Sequence, residues 1–174
     1  TRVENSYQAT FVVKYDSNLM GIWASKIDTA NCSIYGIDTD SSGNCYATGY
    51  YGADSANFYN GTVSGGTFYQ SLTNIALDTG FIMKYNPSGM IQWISKIGGI
   101  DGGHYGYNLR TDSQGNSYIN GYFTKISEIY NSTGNLLFTL DGYNNFYFQT
   151  FVIKYDSNGI PVWANKVYGE NYIY

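Results

Sequence analysis

The stretch FVVKYDSNLMGIWASKI, Phe11 to Ile27, returns as FIMKYNPSGMIQWISKI from Phe81 and again as FVIKYDSNGIPVWANKV from Phe151. The starts at 11, 81 and 151 are 70 residues apart. Within this frame Phe, Lys, Tyr, Trp and Lys are identical in every copy, at positions 11, 14, 15, 23 and 26 and their equivalents. A sequence that repeats with such a period builds supersecondary units, each of which buries its faces only against its neighbours. Phe11, Trp23, Phe81, Trp93, Phe151 and Trp163 are therefore read as structural positions, with Trp93 in particular expected to be buried.

The turns give the unit its strands. Asp16-Ser-Asn-Leu, Asn86-Pro-Ser-Gly and Asp156-Ser-Asn-Gly open with a side chain that bonds the backbone two residues on, and two of the three place Gly where the chain turns left-handed. Each turn predicts a hairpin, with Trp23 roughly opposite Val12 or Val13. Leu19 stands where the other copies have Gly, so the first turn is expected to be looser. A second motif, GIDTDSSGNCYATGYY from Gly36 and NLRTDSQGNSYINGYF from Asn108, predicts a second hairpin. Here Asp40, Gly43, Asn44, Tyr46 and Gly49 match Asp112, Gly115, Asn116, Tyr118 and Gly121, 72 residues on. Between the two hairpins lies an inserted segment, NFYNGTVSGGTFYQS from Asn57 and EIYNSTGNLLFTL from Glu128, read as an extra hairpin or loop projecting from the sheet.

Four short strands per unit, apolar on both faces, suit small sheets that stack on both sides as the blades of a β-propeller do. The motifs F-x-x-K-Y-[DN]-x-x-G-x-x-x-W and D-x-x-G-N-x-Y-x-x-G resemble the SBBP-type β-propeller repeat family over nearly the whole chain apart from the inserted segments. That resemblance implies bladed architecture in secreted or surface proteins and carries no catalytic residue onto this sequence. The expected fold is all-β, with propeller-like blades of four antiparallel strands in about two and a half repeats, an incomplete ring by itself. Residues 1–33 supply the last two strands of one blade, 34–97 and 105–167 a complete blade each with its inserted hairpin, and 168–174 the start of another. The absent initiator Met and the mid-repeat ends lead to the expectation of a segment of a longer array. Its partners are then further repeats of the same or a longer chain, or a homo-oligomer.

Composition agrees with this reading. The 174 residues hold 21 Gly, 2 Pro and 20 Tyr, and aromatics reach 18%. Gly-punctuated aromatic and β-branched runs belong to all-β folds, and no window shows a capped helical period. Net charge is −4, and six of the nine basic residues are the repeat pairs Lys14/Lys26, Lys84/Lys96 and Lys154/Lys166. A nucleic-acid surface needs clustered cations, so nucleic acid is not expected as a partner. No apolar run is long enough to span a bilayer, and no signal peptide opens the sequence, so membrane insertion is not expected.

Residues that might suggest chemistry lack their companions. His104, the single histidine, has no nucleophile elbow to serve and reads as a loop residue without a chemical role. DTDSSGN from Asp38 faintly resembles a calcium loop but has Ser42 where a ligand is needed and no later Glu. An Asx-bonded turn accounts for it better, and no metal or cofactor is expected. Cys32 and Cys45 fall too far apart along the predicted hairpin for a disulfide, which needs Cα atoms about 4.4–6.8 Å apart. They are expected as unpaired, partly buried thiols.

Function is sought where the copies differ. The sequence points to a non-enzymatic structural or adhesive surface module acting through its inserted hairpins, outside the cell or on a particle surface. The alternative is a lectin-like module with one glycan site per blade. Tyr59, Phe68, Tyr69, Tyr130 and Phe138 are the candidate contacts with glycans or surface proteins. Asn60 and Asn131, at matching places in N-x-[ST] sequons, are candidate glycosylation sites.

Overall fold

The computed structural model describes residues 9–63, 66–74, 77–142 and 148–167; the expected start of a further blade at 168–174 lies outside them. The described residues form strands and turns without a helix. In order these are β1 (Thr10–Tyr15), β2 (Gly21–Asp28), β3 (Cys32–Thr39), β4 (Cys45–Tyr51), β5 (Ser55–Asn60), β6 (Thr67–Thr73) and β7 (Thr79–Tyr85). Then come β8 (Ile91–Gly98), β9 (His104–Thr111), β10 (Ser117–Phe123), β11 (Ile126–Tyr130), β12 (Leu136–Asp141), β13 (Gln149–Tyr155) and β14 (Pro161–Val167). They make three antiparallel sheets, ordered β1-β2-β5-β6, β3-β4-β7-β8-β11-β12 and β9-β10-β13-β14. The all-β, blade-like architecture read from the repeat is the architecture found.

The inserted hairpins do not project as expected. In the second sheet β4 pairs directly with β7, as though β5–β6 were not between them. The β5–β6 hairpin instead crosses to the preceding sheet, where Phe58 sits opposite Ile27 and Asn57 opposite Asp28 on β2, with a further bridge between Ala24 and Thr62. One repeat later β11–β12 does the same to β8, Ile129 facing Ile97 and Glu128 facing Gly98. The reason is hydrogen-bond supply. The outer edge of β4 is already taken by β7, whereas β2 and β8 would otherwise present a row of unpaired amides and carbonyls. Each unit thus lends a hairpin to the one before it.

Two turn expectations are corrected. The turn at Leu19 is not looser: Leu19 takes φ 63°, beside 85° and 78° for Gly89 and Gly159. Its amide donates to the Asp16 carbonyl as those of Gly89 and Gly159 do to Asn86 and Asp156. The carboxylate or amide oxygen at the head of each turn fixes the loop by accepting two backbone N–H groups, which leaves the fourth residue no other conformation. The register also differs, because a bulge between Lys14 and Tyr15 places Trp23 opposite Lys14 rather than Val12 or Val13. The same bulge recurs at Lys84 and Lys154.

The core lies between sheets. Trp23, Ile27, Phe58, Phe81 and Tyr85 form one cluster between the first and second; Tyr46, Trp93, Leu109, Phe151 and Tyr155 belong to the other, between the second and third. Phe81 and Phe151 are fully buried, but Phe11 is 71% exposed. The structural role read for Phe11 is not exercised within the described residues, since no sheet covers its side.

Truncating Trp93 removes a large aromatic from a sealed slot, so Trp93→Ala is expected to lower unfolding stability by about 3–5 kcal/mol in urea titration. Gly89→Ala introduces a Cβ at φ +85° and 2.7 Å from the Trp23 ring, and is expected to cost more than the roughly 1 kcal/mol typical of point mutants.

Candidate functional site

The motif tryptophans and lysines of the first two copies meet the following unit at the junctions between sheets. The bulge turns Lys14 and Trp23 to one face, and both donate to the carbonyl of Pro87 in the next unit's turn, Nζ at 3.2 Å and Nε1 at 3.1 Å. Lys84 and Trp93 grip the Ser157 carbonyl in the same way, at 3.1 and 3.0 Å. Gly89 and Gly159 lie flat against the indoles; a Cβ on Gly159 would come within 2.6 Å of Trp93. The second lysine of the motif holds the lent hairpin: Lys26 Nζ lies 4.6 Å from the centroid of the Tyr59 ring and Lys96 4.4 Å from that of Tyr130. The Tyr85 hydroxyl meets Ser25 Oγ at 2.8 Å, and Phe81 packs edge-on against Phe58.

A latch joins the inner edges as well. Asp38 Oδ2 on β3 accepts from the backbone N–H of Thr111 on β9 at 2.7 Å and from its hydroxyl at 2.9 Å. Burial raises the Asp38 pKa, but these bonds, the Thr39 N–H and the Arg110 charge outweigh it, so the carboxyl sits below its ordinary value.

The aromatic residues singled out from the inserted segments do not converge. Tyr59 and Tyr130 serve as platforms for the lysines. Burial, then the bond its hydroxyl donates to Glu128, pushes the Tyr130 phenol up to about 12. Phe68 is exposed and packs edge-on to Tyr59, Tyr69 donates to the Gln92 carbonyl at 3.4 Å, and Phe138 is half-buried against the core. A groove of about 160 Å³ separates β6 from β8 and β11, lined by Gln70, Leu72, Ile94, Lys96, Tyr130 and Ser132.

The two matched sequon asparagines sit in different surroundings. Asn60 is 7% exposed; its Oδ1 accepts from the Ile91 N–H at 2.8 Å and its Nδ2 donates to Thr67. At the equivalent of Ile91 the later unit has Pro161, which offers no N–H. Asn131 Oδ1 instead accepts from Thr133 and Asn135 in its own turn and stays half-buried.

A different aromatic surface emerges on the inner edge strands. Tyr35 of β3 and Tyr107 of β9 stack at 4.6 Å and 12°, across the boundary between the second and third sheets. Tyr50 stacks on Tyr35 at 5.7 Å, Tyr105 meets Tyr50 edge-on at 4.9 Å, and Tyr122 meets Tyr107 at 5.1 Å. Phe148 extends the row, 62% exposed. Tyr50, Tyr105 and Tyr107 were not among the candidate contacts read from the sequence, and neither were Tyr35, Tyr122 and Phe148. The signal was present: Tyr35/Tyr107 and Tyr50/Tyr122 are each 72 residues apart, the first pair just before the second motif and the other inside it. Burial first, then neighbouring phenols, raises the pKa of Tyr107 and Tyr50, so these two keep their hydroxyl protons at neutral pH.

The remaining candidates are structural. Asp40 accepts backbone N–H groups of Ser42 and Asn44 and the side chains of Asn44 and Tyr46, so both its oxygens are engaged within the turn; Asp112 repeats the set. Among the described residues no cluster of three His, Cys, Asp or Glu is placed to hold a metal. Cys32 and Cys45 are free and buried, facing Tyr51 and Thr39 across the hairpin, and burial pushes each thiol up to about 11, where it is a poor nucleophile. His104 opens strand β9 rather than lying in a loop and is fully buried, with Nδ1 3.1 Å from the Asp78 carbonyl and Nε2 3.0 Å from that of Ile126.

Comparison with known proteins gives distant relationships. No family model matches the sequence. An uncharacterized WD repeat-containing protein of Acanthamoeba polyphaga mimivirus is 28% identical over 191 residues, which cover 92% of this chain and 13% of that protein. The chain thus spans a small part of its relative's length. A protein of unknown function from Bacteroides caccae superposes with a TM-score of 0.28 at 10% identity, over 92% of this chain and 73% of its own, a likeness too low to carry argument.

Burial lowers the His104 pKa by more than the two carbonyls and the charges of Glu128 and Asp78 raise it. The folded chain therefore holds the ring neutral, while the unfolded chain takes up a proton near the usual value of about 6.5. Stability is full above that pH and is expected to fall as pH drops below it. Melting temperatures measured from pH 7.5 to about 5 are expected to fall more steeply for the natural chain than for His104→Gln.

Proposed function

We propose that this chain is a non-catalytic segment of a β-propeller-type repeat array, with a structural or adhesive role at a cell or particle surface. The observation that carries the reading is that the motif Trp and Lys side chains of the first two copies are used at the junctions, where they tie sheet to sheet, while Phe68 and part of Tyr69 on the inserted hairpin face outward. The WD repeat-containing relative supports a propeller-type array, and the motif resemblance to SBBP-type repeats supports a surface setting. In this reading the exposed face of the inserted hairpins, Phe68 and Tyr69 in the first, makes the contact with surface proteins.

The second reading is glycan binding, favoured by the tyrosine row. Flat, partly exposed rings carrying hydroxyls match the apolar face and the hydroxyl rim of a sugar ring. In this reading the sugar would meet β3, β4, β9 and β10 rather than Tyr59 and Tyr130, each of which already has a lysine ammonium over its ring.

Beads coated with the full chain separate the two. The adhesive reading expects capture on protein-coated surfaces that is lost in Phe68→Ala/Tyr69→Ala and kept in Tyr35→Ala/Tyr107→Ala. The glycan reading expects the reverse pattern on a glycan array, with signal reduced about fivefold or more by the Tyr35/Tyr107 pair, as loss of two ring contacts worth about 0.5–1.5 kcal/mol each would give. Of the two sequon residues, Asn131 leaves room for a glycan. Intact mass of the natively produced protein is expected to show modification there and none at Asn60.

A further inference from the structure

Strand β14 is built like β2 and β8 but is not used like them. Trp23, Ser25 and Ile27 on β2 are buried, as are Trp93, Ser95 and Ile97 on β8, whereas their equivalents Trp163, Asn165 and Val167 are half-buried or exposed. The outer edge of β2 carries β5 and that of β8 carries β11, while β14 ends its sheet among the described residues. Trp163 and Lys154 stand opposite each other in the register that aims Trp23 and Lys14 at Pro87 and Trp93 and Lys84 at Ser157. Lys166, equivalent to the tyrosine-holding Lys26 and Lys96, turns back to the Asp141 carbonyl beside an open cleft of about 710 Å³ that also contains Glu128 and Ile100.

We infer that the edge and exposed face of β14 are a docking socket for one further unit of this same repeat. This rests on reading the chain as part of an array. The occupant is defined by what already fills the two equivalent positions. It supplies an Asx-headed turn whose second carbonyl accepts from Trp163 and Lys154, a Gly at the fourth position that lies flat on the Trp163 indole, and a Tyr-Asn hairpin that pairs with β14 and sets its ring over Lys166.

A second copy of this chain does not meet that description. Its leading turn carries Leu19 where a docked turn needs Gly, in the same left-handed conformation. A Cβ at this position of the later turns comes 2.6–2.7 Å from the tryptophan ring, closer than such atoms pass. Leu19, 80% exposed, therefore keeps this turn from receiving a tryptophan of the repeat in this geometry.

The test is a chain extended after Tyr174 by a copy of residues 33–97, the unit whose hairpin makes this bridge. The Ala164 amide, whose equivalent Ala24 donates to the Thr62 carbonyl at 3.1 Å, is expected to exchange at least about tenfold more slowly in the extended chain. Changing the copy of Gly89 to Leu is expected to abolish that protection. Trp163→Ala should lower the melting temperature of the extended chain by several degrees more than that of the original chain. The proposal is overturned by unchanged exchange at Ala164, by protection that survives the Gly→Leu change, by equal effects of Trp163→Ala in both chains, or by an appended copy that stays unstructured. Self-association of the original chain that disappears in Trp163→Ala would also overturn it, by making a second copy the occupant. None of these outcomes bears on the bead and glycan assays, so failure of the socket is distinguishable from failure of the surface role.

Discussion

The arrangement depends on a single backbone carbonyl per junction. Pro87 and Ser157 each present an oxygen that an indole N–H and an ammonium reach from the preceding unit. The ammonium bond is exposed at Lys14 and part-buried at Lys84, so solvent weakens it, and the part-buried indole N–H is the firmer constraint on how one sheet meets the next. The tight approach it demands explains the glycine that follows in the turn, since the tryptophan ring lies where a side chain would begin. With the ring so placed, the second lysine, the tyrosine of the lent hairpin and the Tyr85–Ser25 pair fall within reach. The Trp and first Lys of the motif, with the Gly of the following turn, are thus one contact written out at two junctions.

The hairpin exchange adds a second, independent tie. Two sheets that only stacked would be held by apolar area and a few polar bonds. Because β5 and β11 complete the hydrogen-bond ladders of their predecessors, separating the units also means breaking backbone pairs and re-exposing Ile27 with Phe58, or Ile97 with Ile129.

Local features were legible in the sequence and pairings across the chain were not. Asp16, Asn86 and Asp156 announced their turns because an Asx side chain binds its own backbone, and that chemistry needs no distant partner. Strand positions followed. The destination of the inserted hairpin was hidden because NFYNGT contains nothing that says which sheet edge will be free; that is decided by β7 taking β4. The register slip came from a bulge whose one extra residue leaves no mark in composition. The split between Asn60 and Asn131 was readable only from the far side, in the replacement of Ile91 by Pro161. Leu19 was visible as an exception but its meaning needed the tryptophan that faces the same position elsewhere. The tyrosine row was concealed by sharing strands with packing residues: Tyr50 and Tyr51 are adjacent, yet only Tyr51 enters the core.

Lending the hairpin backwards also sets a clock on synthesis. The first sheet has its β1–β2 pair by Asp28 but waits until Ser55–Thr73 has emerged before its edge is covered, and the second waits from Gly98 until Ile126–Asp141. A ribosome adding roughly 5–20 residues per second leaves each edge bare for seconds. During that interval the newest unit is the one open to mispairing, and every older unit has already been sealed by its successor. Maturation therefore runs in step with translation, one unit behind the growing end.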